Sequence, residues 1–172
     1  MGESLTTIVA IFLAAILMFV FPLAAIADRN DDTSQMYVQT ALDTFVNSVA
    51  SKGKLTSSDY QQLESTLAAT NNSYDIDVEI DVKDVNPGKK EANSLVGDTT
   101  YYTVYTSQLI NDDGTVMGNE YKLKEGDYIR ASAKNTNTTI SQMIKNVLYG
   151  ITGNESYVIS AQASSIVVTT GN

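Results

Sequence analysis

Residues Leu5–Ala27 read LTTIVAIFLAAILMFVFPLAAIA, and no charge interrupts them. At about 1.5 Å of rise per residue such a helix covers about 30–35 Å, enough to cross a hydrocarbon core. The run is apolar on every side, unlike an amphipathic surface helix. Directly after it comes Asp28-Arg29-Asn30-Asp31-Asp32, which cannot enter lipid. The first reading is a retained transmembrane anchor over residues 1–27. A second is a cleaved secretory signal, because Ala25-Ile26-Ala27 is a small-x-small triplet placed as a signal peptidase needs. A third, the core helix of a soluble protein, would need protein on all faces, more than the rest of the chain can supply. The positive-inside count gives no orientation, since Arg29 sits among aspartates. The exported-looking composition of the rest, rich in Thr, Ser, Asn and Tyr, places residues 28–172 outside the cell.

Two residues in this tract carry chemistry of their own. Pro22 lacks an N–H and presses on the carbonyl of Met18, which predicts a bend there. That bend either marks a helix near its end or lets neighbouring anchors pack side by side. Glu3 either complements the helix N-terminus beside Ser4 or neutralises the amino terminus of a neighbouring subunit.

Beyond the apolar tract the period stays helical. Val38, Leu42, Phe45 and Val49 recur at three- and four-residue spacing, with Ala41 and Val46 widening the stripe. Residues 28–51 therefore continue the anchor as an amphipathic spine that docks on a head formed by residues 52–172. Gly53 in Ser51-Lys52-Gly53-Lys54 is placed as a left-handed cap. Thr56-Ser57-Ser58-Asp59 fits a capping box, opening a helix that carries Tyr60, Leu63 and Leu67 and stops near Asn71-Asn72.

Then the period becomes two. Tyr74-Asp75-Ile76-Asp77-Val78-Glu79-Ile80-Asp81-Val82 is a half-buried strand, with Ile76, Val78, Ile80 and Val82 inward and four carboxylates outward. Asn86-Pro87-Gly88 turns the chain, and residues 89–98 are a polar loop. Thr99–Ile110 is a second strand, and Asn111-Asp112-Asp113-Gly114 is a hairpin turn. Strands near 115–124 and 127–134 flank Glu125-Gly126. Ile140, Met143, Ile144, Val147, Leu148 and Ile151 trace an amphipathic helix opened by Thr138 or Thr139 and closed by Gly150 or Gly153. Tyr157–Thr169 is the last strand. The fold class is α+β: a long N-terminal transmembrane and spine helix, then a head with an antiparallel sheet backed by helices.

Composition removes most catalytic classes. The chain has no Cys, no His and no Trp, and 20 Asp+Glu against 11 Lys+Arg give a net charge of −9. It therefore lacks thiolate nucleophiles, thiolate zinc sites and imidazole acid–base chemistry. Acidity without a basic cluster argues against a nucleic-acid partner. The ladder Asp75, Asp77, Glu79 and Asp81 spaces its carboxylates about 6.5–7 Å apart, too far for a calcium cage, and reads as a solvated face. Asp112 and Asp113 are the residues a cation would take, yet they lack the spacing and closing Glu of a calcium loop. Paired carboxylates for glycoside hydrolysis find no Trp platform. Tyr101 and Tyr105 share one strand face with Tyr102 opposed, either for sheet packing or as a contact patch. Asn71, Asn137 and Asn154 head N-glycosylation sequons. No cofactor is implied, and the reading is non-enzymatic.

An apolar N-terminal helix, an amphipathic spine and an α+β head resemble type IV pilin-like proteins. The closer likeness is to TadE-like minor pilins of tight-adherence systems, chiefly in Gram-positive bacteria. The stretch Ser51–Thr56 with Tyr60, Leu63, Leu67 and Tyr74–Val82 carries this resemblance, together with Gly126-Asp127-Tyr128, Ile140–Leu148 and Ile159–Val167. It implies a membrane- or filament-inserted subunit whose apolar helices bundle with one another, or with those of related subunits, while the heads face outward. On that reading Glu3, Phe12, Leu13, Leu17, Phe19 and Pro22 make the assembly surface, with membrane lipid as the other partner. Prepilins carry a basic leader ending in Gly and a Glu at the fifth mature position. Here Gly2 is followed directly by Glu3, which points to a minor or accessory subunit. The reading from a different class is an exported monomeric binding module that uses residues 1–27 as signal or tether.

Overall fold

A computed structural model of the chain describes residues 2–84, 101–149 and 158–171. Several expected features lie outside these residues: the turn Asn86-Pro87-Gly88, the loop 89–98, Thr99, Thr100, the glycines Gly150 and Gly153, Ile151, the Asn154 sequon and the strand start at Tyr157.

The described chain is α+β, with the long helix and the antiparallel strands read from the sequence. Helix α1 runs unbroken over Gly2–Lys52 and continues through Pro22. The apolar run and the amphipathic stretch after it are thus one helix, as expected. By its internal contacts the chain divides into two compact units: residues 1–35 with 138–159, and residues 36–137 with 160–172.

In the larger unit α1 ends where expected. Gly53 adopts φ +67, and its N–H donates to Val49 O at 2.9 Å. Three residues, Lys54–Thr56, form a short strand β1 that the sequence pattern did not reveal. Helix α2 (Ser57–Ala68) opens on the predicted capping box, in which Thr56 Oγ1 accepts from Asp59 N–H while Thr56 N–H donates to Asp59 Oδ2. Tyr60, Leu63 and Leu67 are its buried face.

The main sheet has the order β3-β2-β5-β6, every neighbour antiparallel, formed by β2 (Tyr74–Lys83), β3 (Tyr101–Val104), β5 (Tyr128–Asn135) and β6 (Ser160–Ile166). The alternation of β2 fixes its register: Val78, Ile80 and Val82 are buried, facing Ala131, Ile129 and Tyr102 across the ladder. Alternating Ile129, Ala131 and Ala133 on β5, and Ala161 and Ala163 on β6, continue the buried face with small side chains. The apolar stripe of α1, Val38, Leu42, Phe45, Val46 and Val49, is buried in the same unit. Gln39 Nε2 donates to Gln162 O at 3.0 Å, and Ser165 Oγ donates to Asn47 Oδ1 at 3.0 Å, which ties this part of α1 to β6.

Two expectations change. The strand predicted over Thr99–Ile110 ends at Val104 and gives way to a single helical turn, α3 (Thr106–Leu109). The cause is Thr106. Continued pairing would set residue 106 opposite Val78, but its hydroxyl oxygen accepts Val78 N–H at 2.7 Å. A side chain thus replaces the ladder bond and the backbone is free to turn. Tyr105 consequently stands outside the strand and does not share a sheet face with Tyr101. The second change concerns β4 (Glu120–Lys122). It precedes the Glu125-Gly126 turn but pairs with β1, not β5, in a separate two-stranded sheet. Asp127 explains the divergence. This buried carboxylate accepts Lys83 N–H at 3.0 Å and Lys124 N–H at 2.8 Å, pinning the turn to the end of β2. The Asn111–Gly114 turn is present, with Gly114 at φ +75 and a bridge between Ile110 and Val116.

In the smaller unit, α4 (Ile140–Tyr149) opens on Thr139, one of the two predicted starts. Thr139 N–H donates to Gln142 Oε1 at 3.0 Å and Gln142 N–H to Thr139 Oγ1 at 3.2 Å, a capping box with Gln at its third position.

Candidate functional site

The apolar portion of α1 is the most unusual surface of the molecule. It is the one helix among the described residues long and apolar enough to cross a membrane, and its most apolar window has no buried residue. Of the six predicted assembly residues, Phe12, Leu13, Leu17, Phe19 and Pro22 lie on it, and these and Glu3 are all exposed. They do not form one patch. Phe12 and Phe19, seven residues apart, share a face, while Leu13 and Leu17, four apart, share another. The helix therefore offers apolar contact around its circumference. A soluble monomer does not expose so large a contiguous apolar area without a use for it. Glu3 stands in the first turn, where a carboxylate complements the positive end of the helix dipole.

At the other end of the apolar run sits a polar cluster that sequence reasoning did not assemble. Asp28 Oδ1 accepts from Lys145 Nζ at 2.7 Å and from Ser141 Oγ. One turn on, buried Asp31 accepts from Thr139 Oγ1 at 2.7 Å. Hydrogen bonds from Lys145 and then Ser141, with the Lys145 charge, hold the Asp28 carboxyl below the usual carboxylate range. The first acids after the lipid-compatible run thus dock α4. The only signal available in the sequence was the i, i+3 spacing of Asp28 and Asp31.

The acidic ladder of β2 is engaged rather than freely solvated. Glu79 Oε2 accepts from Arg130 Nη1 at 3.0 Å, and Asp81 Oδ2 from Arg130 Nη2 at 2.8 Å. Asp81 also accepts from Thr103 Oγ1 at 2.6 Å and Asp77 from Thr106 Oγ1 at 2.5 Å. Cross-strand charge complementarity is the reason: Glu79 pairs in register with Arg130 and Asp75 with Lys134. The outward positions of Tyr128–Asn135 carried that information.

Asp113, one of the two weak cation candidates, accepts Thr115 N–H at 3.0 Å and Thr115 Oγ1–H at 2.5 Å. Those bonds lower its pKa and make it a turn-closing acceptor. Asp112 borders a cleft of about 410 Å³ with Tyr60, Glu64, Asp75, Asp77 and Tyr105. Burial, and then the negative charges of Glu64, Asp75 and Asp77, raise the Tyr60 hydroxyl above its ordinary value. Among the described residues no three His, Cys, Asp or Glu side chains are placed to hold a metal ion. A second groove, about 320 Å³, runs between α1 and α2 and is lined by Tyr37, Phe45, Asp59, Leu63 and Thr66. Of the sequons, Asn137 uses its side chain internally: Oδ1 accepts Ser73 N–H at 2.8 Å and Nδ2 donates to Asn72 Oδ1 at 3.0 Å.

No protein-family model matches the chain, and neither a curated protein nor a solved structure shows significant similarity to it.

Proposed function

We propose that this chain is a non-enzymatic, pilin-like structural subunit, of the TadE-like minor type, assembled into a cell-surface filament or pilus-type apparatus through residues 5–27. It resides in the membrane as a single-pass protein with residues 28–172 outside the cell, and its partners are lipid and other apolar helices of its own kind. One observation carries the reading. The helix that contributes Val38, Leu42, Phe45 and Val49 to the head's core is continuous in secondary structure with the residues that expose an unbroken apolar surface toward its N-terminus. A disposable signal has no need of such continuity, whereas a subunit that must be pulled from lipid into an assembly does. The mechanism is exchange of lipid contacts for helix–helix contacts. That exchange costs little hydrophobic free energy, because lipid tails are as apolar as leucine, and it gains packing.

Replacing Leu13 by Asp tests this. A carboxylate near the centre of the apolar helix costs about 2.5–3.5 kcal/mol on insertion scales. Surface fractions imaged by electron microscopy are expected to lose filaments in the variant while the head stays folded. Native protein whose N-terminus is Asp28, or dispersed wild-type monomers with an intact helix, would overturn the proposal and favour an exported binding module.

A further inference from the structure

Helix α4 has an apolar stripe that is exposed among the described residues. Ile140, Met143 and Val147 are 60%, 51% and 79% exposed, and Ile144 between them is partly so. These positions follow the i, i+3, i+4, i+7 spacing of one helix face. The flank carrying Ser141 and Lys145 is the one held by Asp28. Charge is sparse: Lys145 is the only ionisable group of α4 besides Tyr149, and it is paired.

The contacts also fix the direction of α4. Thr139 binds Asp31, and Ser141 binds Asp28, both through short side chains. As α4 advances, its partners step back along α1 toward the apolar run, so the two helices are antiparallel. Val147 lies six residues beyond Ser141, which carries it up to about 9 Å past the level of Asp28, on the membrane side. Ala24 and Val20, on the same flank of α1 as Ala27 and Asp31, are half-buried, while the other residues from Glu3 to Ile26 are exposed. The boundary between headgroups and acyl chains that apolar side chains of interface-bound helices occupy is about 5–10 Å deep, and this geometry carries Val147 into it.

We infer that α4 is a membrane-interface helix that runs back along the span, tethered to its mouth by Asp28 and Asp31, with Ile140 at headgroup level and Met143, Ile144 and Val147 reaching the acyl-chain boundary of the outer leaflet. The occupant of this face is lipid because the stripe is continuous in depth with the exposed apolar surface of α1. This inference rests on the membrane reading of residues 5–27 but not on filament assembly.

The absence of Trp makes a direct test available. Single variants Val147→Trp, Asn146→Trp on the polar face and Phe12→Trp in the span are made in the full chain and reconstituted into phosphatidylcholine vesicles. Some vesicles carry a nitroxide high on the acyl chain and others a nitroxide deep in it. The shallow nitroxide is expected to quench Val147→Trp at least about twofold more than Asn146→Trp, as insertion to interfacial depth requires, with aqueous iodide showing the reverse order. Equal quenching at positions 146 and 147, with Phe12→Trp quenched by the deep nitroxide, overturns the assignment of α4 alone. A Val147→Trp shielded from both iodide and nitroxide also overturns it, because protein would then cover the stripe. If neither nitroxide reaches Phe12→Trp, the membrane reading falls with it.

Discussion

Gly53 is the joint between the core helix and the head, and replacing it by alanine gives a prediction whose size can be worked from the structure. At φ +67 any side chain pays the left-handed penalty, about 1–2 kcal/mol. A Cβ there would also stand 2.1 Å from Thr169 O, 2.6 Å from Gly171 N and 2.9 Å from Thr170 C. These are backbone atoms and cannot rotate away. Relief requires residues 169–171 to move, which threatens the bonds Gly171 N–H to Leu123 O at 3.0 Å and Leu123 N–H to Gly53 O at 2.8 Å. At about 0.5–1.5 kcal/mol each, losing both adds about 1–3 kcal/mol, so Gly53→Ala should cost about 2–5 kcal/mol. Gly118 supplies the control, since its φ is +77 and nothing lies within 4 Å of an added Cβ. Gly118→Ala should cost only the backbone term. Urea unfolding of the full chain in detergent micelles, followed through its 10 tyrosines by near-ultraviolet circular dichroism, reads the difference. Equal midpoints for the two variants at unchanged slope would refute the steric argument.

Two further outcomes follow from the charge network. Burial pushes the Asp59 carboxyl up, but hydrogen bonds from Lys52 and Thr56 with the Lys52 charge outweigh it, so its pKa in the folded head is lowered. A depressed carboxylate stabilises fully above the ordinary Asp value of about 3.9 and loses that contribution as pH falls through the lower folded value. Asp59→Asn should therefore cost about 1 kcal/mol at neutral pH, typical of a helix cap, and the gap from wild type should close in acid. Thermal melts at pH 7 and below pH 3 measure it, and a gap that persists in acid would contradict the ionic cap. Arg130→Ala leaves Glu79 and Asp81 side by side without their shared cation. Since these pairs are partly exposed, the cost should be about 0.5–2 kcal/mol at low salt and shrink in high salt. A salt-independent loss would mean that the arginine acts by packing.

Much of the architecture follows from local periodicity. The helical period of Val38, Leu42, Phe45 and Val49 follows the apolar run with no Gly and no Pro between Leu23 and Lys52, so one helix was predictable. The strict alternation of Tyr74–Val82 admits only a strand with one buried face. Gly53 and the Thr56–Asp59 box were legible because capping is a matter of a few adjacent residues. Thr106 was not. Its hydroxyl ends a strand only because Val78 happens to lie opposite, and no window of sequence contains both. The pairing of β4 with β1 depends likewise on Asp127, which reaches Lys83 across 44 positions. Asp112 and Asp113 read as part of a hairpin turn and only weakly as cation ligands, and Thr115, two residues away, sets the role of Asp113 in that turn.

An uncharged tract long enough to cross a bilayer, leading into an acidic α+β head, is legible from the residues alone, because length, hydrophobicity and period are properties of neighbouring residues. Which acids are partnered emerges in three dimensions, since Asp28 meets Lys145, and Asp81 meets Arg130, through chain reversals that no local rule fixes. The fold also turns the apolar stripe of α4 outward: amphipathicity guarantees two unlike faces, but the direction each one takes is set by whatever the chain packs against the other.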